Sequence, residues 1–226
     1  MFDYDWNWSV IWLYRNVFLE GLMLTFALTA ASIAAGTVTG LTLGIGLARM
    51  TGSFQFVRLP LLVFVDAIKA LPPLILLLLF YYWLPYITGV QSPFWLAAIA
   101  LSVNLCAFVA DVFRHAISGV PRPLVDACYA LGMTRSMVLR RLVIPEALRS
   151  IVPTLGILYI DVFKLSALAS IIAVGELVHR ASQVSTYTYR FLEVYATLAA
   201  IYLAILLPFS YSVRWLETSK HFIRRS

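Results

Sequence analysis

Four ionisable residues lie inside long apolar stretches: Asp66 and Lys69 in one, Asp161 and Lys164 in another. In each pair the aspartate precedes the lysine by three residues, which sets both side chains on one face of a helix. Two readings stand for such pairs. They neutralise themselves and aid packing, or they line a polar path for a zwitterion whose ammonium and carboxylate groups they match. Asp111, near the end of a third apolar stretch, reads as interfacial. Ser166 and Asn104 add uncharged polar groups to two of these stretches, and Thr197 one to a further stretch.

No spacing in the chain supports covalent chemistry. The nucleotide-binding pattern G-x-x-x-x-G-K-[ST] is absent, as are the G-x-S-x-G elbow and the H-E-x-x-H metal motif. The two cysteines, Cys106 and Cys128, form no C-x-x-C pair and have no histidine cluster beside them, so neither a disulfide framework nor a zinc site is expected. The reading is of a non-enzyme with no metal and no cofactor. If it transports actively, the energy comes from an ion gradient or from another subunit.

The elements that hold these residues follow from composition. Of 226 residues, 62% are hydrophobic and 12% charged, with mean hydropathy +0.87, against about 25% charged in a soluble domain. Lipid is the expected solvent. A bilayer crossing takes about 20 apolar residues, and five segments qualify: 17–48, 59–86, 94–113, 151–178 and 191–213. The expected fold is all-α, one polytopic transmembrane domain over 1–226. Pro72 and Pro73 should kink or break the second crossing. Lys69 and Lys164 then fall roughly 15 and 20 Å into a core about 30 Å thick. At that depth a charge is too costly to face lipid.

The net charge of +6 is distributed by side rather than gathered in a patch. Arg49, Arg58, Arg114, Arg122, Arg135, Arg140, Arg141, Arg149, Arg214, Lys220, Arg224 and Arg225 fall on one side of the five crossings. Arg15, Arg180 and Arg190 fall on the other. The positive-inside rule puts the N-terminus outside and the C-terminus in the cytoplasm, and it removes the nucleic-acid reading. The opening M-F-D-Y-D-W-N-W has no basic n-region of a cleaved signal peptide; Trp6, Trp8 and Trp12 suit headgroup level. Gly36, Gly40 and Gly44 form a ladder on one face of the first crossing, where another helix can approach closely.

The cytoplasmic loop of about 114–150 carries unusual turn chemistry. Pro121 and Pro123 set its entry, and Leu124–Leu131 can make two helical turns. Gly132 suits a left-handed stop. Thr134 or Ser136 can cap a second short helix, which Pro145 is expected to end. Such a protrusion fits a groove on another protein, or lies as an amphipathic helix on anionic lipid.

The loop sequence D-A-C-Y-A-L-G-M-T-R-S-M-V-L-R-R-L-V-I-P-E-A-L-R resembles the E-A-A…G signature of permease subunits of bacterial ATP-binding-cassette importers. Asp126 stands where glutamate is usual, and Cys128 where alanine is usual. A-F-V-A-D-V-F-R-H-A-I, F-V-D-A-I-K-A-L-P-P-L and K-L-S-A-L-A-S-I-I-A-V-G-E-L are similar to motifs of the polar-amino-acid branch of those permeases. The resemblance implies a type I importer in the bacterial inner membrane. It implies two ATP-binding subunits, a second permease subunit identical or related to this one, and an extracytoplasmic amino acid-binding protein. It also implies ATPase coupling through Asp126, Ala127, Ala130, Leu131, Gly132, Met133 and Pro145. Lys69 and Lys164 suggest glutamate or aspartate as substrate. The competing readings are an ion-coupled secondary transporter and a non-transporting membrane scaffold. Five crossings without an internal repeat fit the secondary transporter poorly.

Overall fold

The structure is a computed structural model that describes residues 4–49 and 55–223; Arg224 and Arg225 of the expected inner tail lie outside the described residues. A short helix α1 (Ser9–Leu13) leads into α2 (Arg15–Arg49). The second crossing is two helices, α3 (Gln55–Ala70) and α4 (Pro73–Thr88), bent by 110° at their junction. The cause is local. Pro72 and Pro73 remove two amide donors in succession, and Pro72 takes an extended ψ of 132° before α4 restarts with Pro73 at its first position. Next come α5 (Pro93–Ser118), α6 (Arg122–Ala130), α7 (Arg135–Val138), α8 (Ile144–Leu165), α9 (Leu177–Thr188) and α10 (Phe191–Ile223).

Four helices are individually long and apolar enough to cross a membrane, and the bent α3–α4 pair brings the number to five if it crosses as one span. Among the described residues every regular element is helical. This is the architecture a bilayer permits, since a helix satisfies its own backbone hydrogen bonds.

The centre of the molecule is α5, which packs against α2, α3, α4 and α8. It is 61% buried over its apolar window, against 17% for α10, so α10 presents most of its surface outward. The glycine ladder of α2 meets α5. A Cβ built on Gly40 would lie 2.7 Å from Val109 Cβ and 2.9 Å from the Cys106 carbonyl, and Gly36 and Gly44 meet the next turns of α5 on either side. Glycine is required there because the two backbones approach too closely for any side chain. The ladder is thus packing within the subunit.

Two boundaries differ from expectation. Pro145 does not end a helix: the chain stays helical from Arg135 to Ile172, 38 residues. A wide turn over Leu139–Val143 absorbs the proline, with Ile144 N–H bonding the Leu139 carbonyl five residues back. The far end of that rod also stops earlier than 178. It tightens to a 3₁₀ helix over Ser166–Ile172, Ala173 turns left-handed at φ 60°, and α9 starts anew.

Candidate functional site

Two regions answer to the expected site residues: a protrusion at one end of the bundle and a set of charges within it. The protrusion is a helix–turn–helix of α6 and α7. Pro121 has extended ψ and Pro123 occupies the first turn of α6, where a missing N–H costs nothing. Gly132 has φ +77°, the left-handed conformation that a side chain resists, and Gly132 N–H bonds the Tyr129 carbonyl to close the turn. Thr134 caps α7 by accepting from Met137 N–H at 3.4 Å. Beneath the turn, Val120, Val138 and Val143 form a small core with Val125, Cys128 and Met133 packed against it.

What this turn presents is apolar. Leu131 is 82% exposed at the tip, flanked by exposed Leu124, Tyr129 and Met137. Asp126, Ala127 and Ala130 also lie on the exposed surface, whereas Met133 and Pro145 are half-buried. The segment between the two long helices is short, since α5 runs on to Ser118 and the next rod begins at Arg135.

The charges within the bundle are arranged differently from the local pairs expected. Lys69 does not pair with Asp66. Lys69 Nζ reaches Asp111 at 2.5 Å, and the same carboxylate accepts from Arg114 at 2.8 Å with His115 at 3.3 Å. The bend after Ala70 swings the end of α3 across α5, so the partner comes from 42 residues away and Asp66 is left exposed. Asp111 is therefore a hub between two helices. The second pair does form: Lys164 Nζ lies 3.5 Å from Asp161, with both side chains more than half exposed. Ser166 is fully buried and donates to the Phe163 carbonyl at 2.7 Å, so its hydroxyl is spent on its own helix.

Glu176, a residue of the quoted K-L-S motif, is fully buried as the cap of α9, accepting from Val178 N–H at 2.9 Å and His179 N–H at 2.8 Å. Leu177 N–H donates to Thr25 of α2 at 3.1 Å, tying the α9 start to the first crossing. A further buried carboxylate, Glu193, escaped notice in the sequence. The signal was available: a charge in the first turn of a membrane helix needs partners, and Arg190 stands three residues before it. Among the described residues no group of three or more histidine, cysteine, aspartate or glutamate side chains could hold a metal ion.

An all-helical bundle of four spans, or five with the bent α3–α4 pair as one, defines a polytopic membrane protein with an exposed apolar turn at one end. Residues 40–221 match the family described as "Binding-protein-dependent transport system inner membrane component". The chain belongs to that family, and is a multi-pass protein of the bacterial inner membrane. It is 30% identical over 215 residues to the glutamine transport system permease protein GlnP of Escherichia coli (strain K12), covering 94% of this chain and 97% of the other. It is 31% identical to the octopine transport system permease protein OccM of Rhizobium radiobacter over 87% of this chain and 83% of that one. Among solved structures, an amino acid ABC transporter crystallised with histidines superposes with a TM-score of 0.86 at 30% identity, covering 96% of this chain and 100% of that chain. The chain is thus a permease subunit of an amino acid ABC importer.

Proposed function

We propose that this subunit imports a polar amino acid, driven by a separate ATPase that grips the turn around Gly132. The observation that carries the reading is the exposed Leu131 at the tip of a turn stiffened by a left-handed glycine. From Arg135 the same chain continues as one helical rod of 38 residues to Ile172, about 55 Å at 1.5 Å per residue. A push at the turn is therefore delivered toward the opposite end of the bundle along one continuous helical run. With the N-terminus outside and this turn in the cytoplasm, two ATP-binding subunits face it, and hydrolysis belongs to them. A second permease subunit covers the outward-facing surface, and an extracytoplasmic binding protein delivers substrate.

Asp161 and Lys164 are the charges we assign to the substrate path. Both are exposed on the rod, where hydrocarbon would penalise them by about 2.5–3.5 kcal/mol each, so an aqueous or polar surface must cover them. Lys69 and Asp111 neutralise each other across α3 and α5, which suits them to holding the bent crossing in place. A preference for acidic side chains would then rest on Lys164 alone, and a zwitterionic polar amino acid is the substrate class we assign. Exposed Asp66 remains available to the same path.

The test is reconstitution with the ATPase subunits and uptake of radiolabelled amino acids into liposomes. Leu131→Asp should abolish copurification of the ATPase and reduce ATP-driven uptake at least about tenfold, the loss of roughly 1.4 kcal/mol or more of docking energy. Retention of both would overturn the reading.

A further inference from the structure

The N-terminal segment ahead of α2 is fixed to the opposite end of the bundle by a buried carboxylate. Glu193, in the first turn of α10, is fully buried. It accepts from the Tyr4 hydroxyl at 2.5 Å and from Asn7 N–H at 2.9 Å. Arg190 lies 3.6 Å from the same carboxylate and donates to the Asp5 carbonyl. Three groups from one short segment therefore converge on two residues more than 180 positions away. The hydrogen bond to Glu193, ahead of burial, holds the Tyr4 phenol above its ordinary range, so its proton stays in place to be donated. Below this clamp Val10, Ile11 and Tyr14 pack on Phe18, Leu177, Val184 and Val194. One side of the segment is thereby spent on the protein.

The other side is aromatic and unpartnered. Trp6 and Trp8 stack with parallel planes, 5.6 Å between ring centroids, and Tyr4 sits edge-on to Trp6. Trp6, Trp8 and Trp12 are all about half exposed or more. Indole and phenol rings with this much free surface prefer the zone between headgroup and acyl chain, where the ring is apolar and the polar atom is wet. Exposed Tyr189, ahead of α10 and next to Arg190, lies at the same end of the bundle. Arg15 and Arg190 lie beside the segment and suit lipid phosphate.

We propose that residues 4–13 form a clamped interfacial anchor, whose aromatic side seats in the phospholipid headgroup layer while Glu193 holds its polar side against α10. The occupant of the aromatic face is lipid rather than a protein. The anchor fixes the depth of the α9–α10 corner, since α1, α2, α9 and α10 share one apolar cluster with it. Stacking beforehand lowers the ordering cost of placing the Trp6 and Trp8 indoles in the interface.

The experiment uses the full chain in phosphatidylcholine nanodiscs, with Trp83, Trp95 and Trp215 replaced by Phe so that only Trp6, Trp8 and Trp12 fluoresce. Lipids brominated near the glycerol end should quench this signal about twofold more than lipids brominated near the chain terminus, and aqueous iodide should quench weakly. Strong iodide quenching without lipid quenching at either depth would overturn the anchor. So would protection from the lipid quenchers on adding an extracytoplasmic binding protein, which would make the face a protein-docking surface. Glu193→Gln and, in a second variant that spares the carboxylate, Tyr4→Phe should each raise iodide quenching about twofold by releasing the clamp. Unchanged quenching in Tyr4→Phe would overturn the clamp.

Discussion

Asp111 serves two cations, Lys69 and Arg114, and the consequences of removing it differ from those of removing either of them. Asp111→Asn would leave Lys69 and Arg114 facing each other in a half-buried setting, whereas Lys69→Met leaves Asp111 still paired with Arg114. Loss of one partner of a fully buried pair costs about 3–5 kcal/mol. Solvent reaches both side chains here, so we expect about 1–2 kcal/mol for Asp111→Asn, and less than half of that for Lys69→Met. Thermal unfolding in detergent, read as loss of monodisperse protein, checks the order of the two variants. Lys164→Met should behave oppositely. Its exposed pair contributes about 0–1 kcal/mol, so stability and assembly should hold while uptake falls. The Asp161–Lys164 pair was legible in the sequence because i, i+3 spacing along one helix determines it. The Lys69 partner was not, because it depends on a 110° bend whose direction no local pattern encodes.

At the scale of elements, the α2–α5 contact is set by glycine. Gly40→Ala would bring a methyl within 2.7 Å of Val109 Cβ, and overpacking of this kind costs about 1–3 kcal/mol. Gly46, on the same helix, has nothing within 4 Å of its built Cβ. Gly46→Ala should be neutral, or stabilising by up to about 1 kcal/mol through helix propensity. Adding Val109→Ala to Gly40→Ala should recover part of the loss, and a thermal shift series on the three variants reads this directly. The ladder announced a close approach in the sequence, and the structure supplies its partner. Pro145 shows the reverse. A proline after an arginine-rich run reads as a stop, yet one wide turn of backbone carries the rod past it, and turn geometry of that kind leaves no compositional trace. The two-helix protrusion and its stop at Gly132 were readable because left-handed backbone has few solutions other than glycine.

For the whole molecule, five apolar crossings and a stiff turn between the third and fourth were legible in the sequence, whereas the enclosure of α5 at the centre was not. The N-terminal clamp was not visible, because Tyr4 and Asn7 meet Glu193 only after the whole bundle has closed. The central claim is that the turn around Gly132 grips a protein rather than lipid. Its most direct measurement is photo-crosslinking from position 131, with a benzophenone-bearing residue in place of Leu131, in membranes containing the ATPase subunits. The account predicts a covalent adduct with the ATPase that weakens when the turn is strained by Gly132→Val. Adducts with phospholipid alone, in the presence of ATPase, would contradict it.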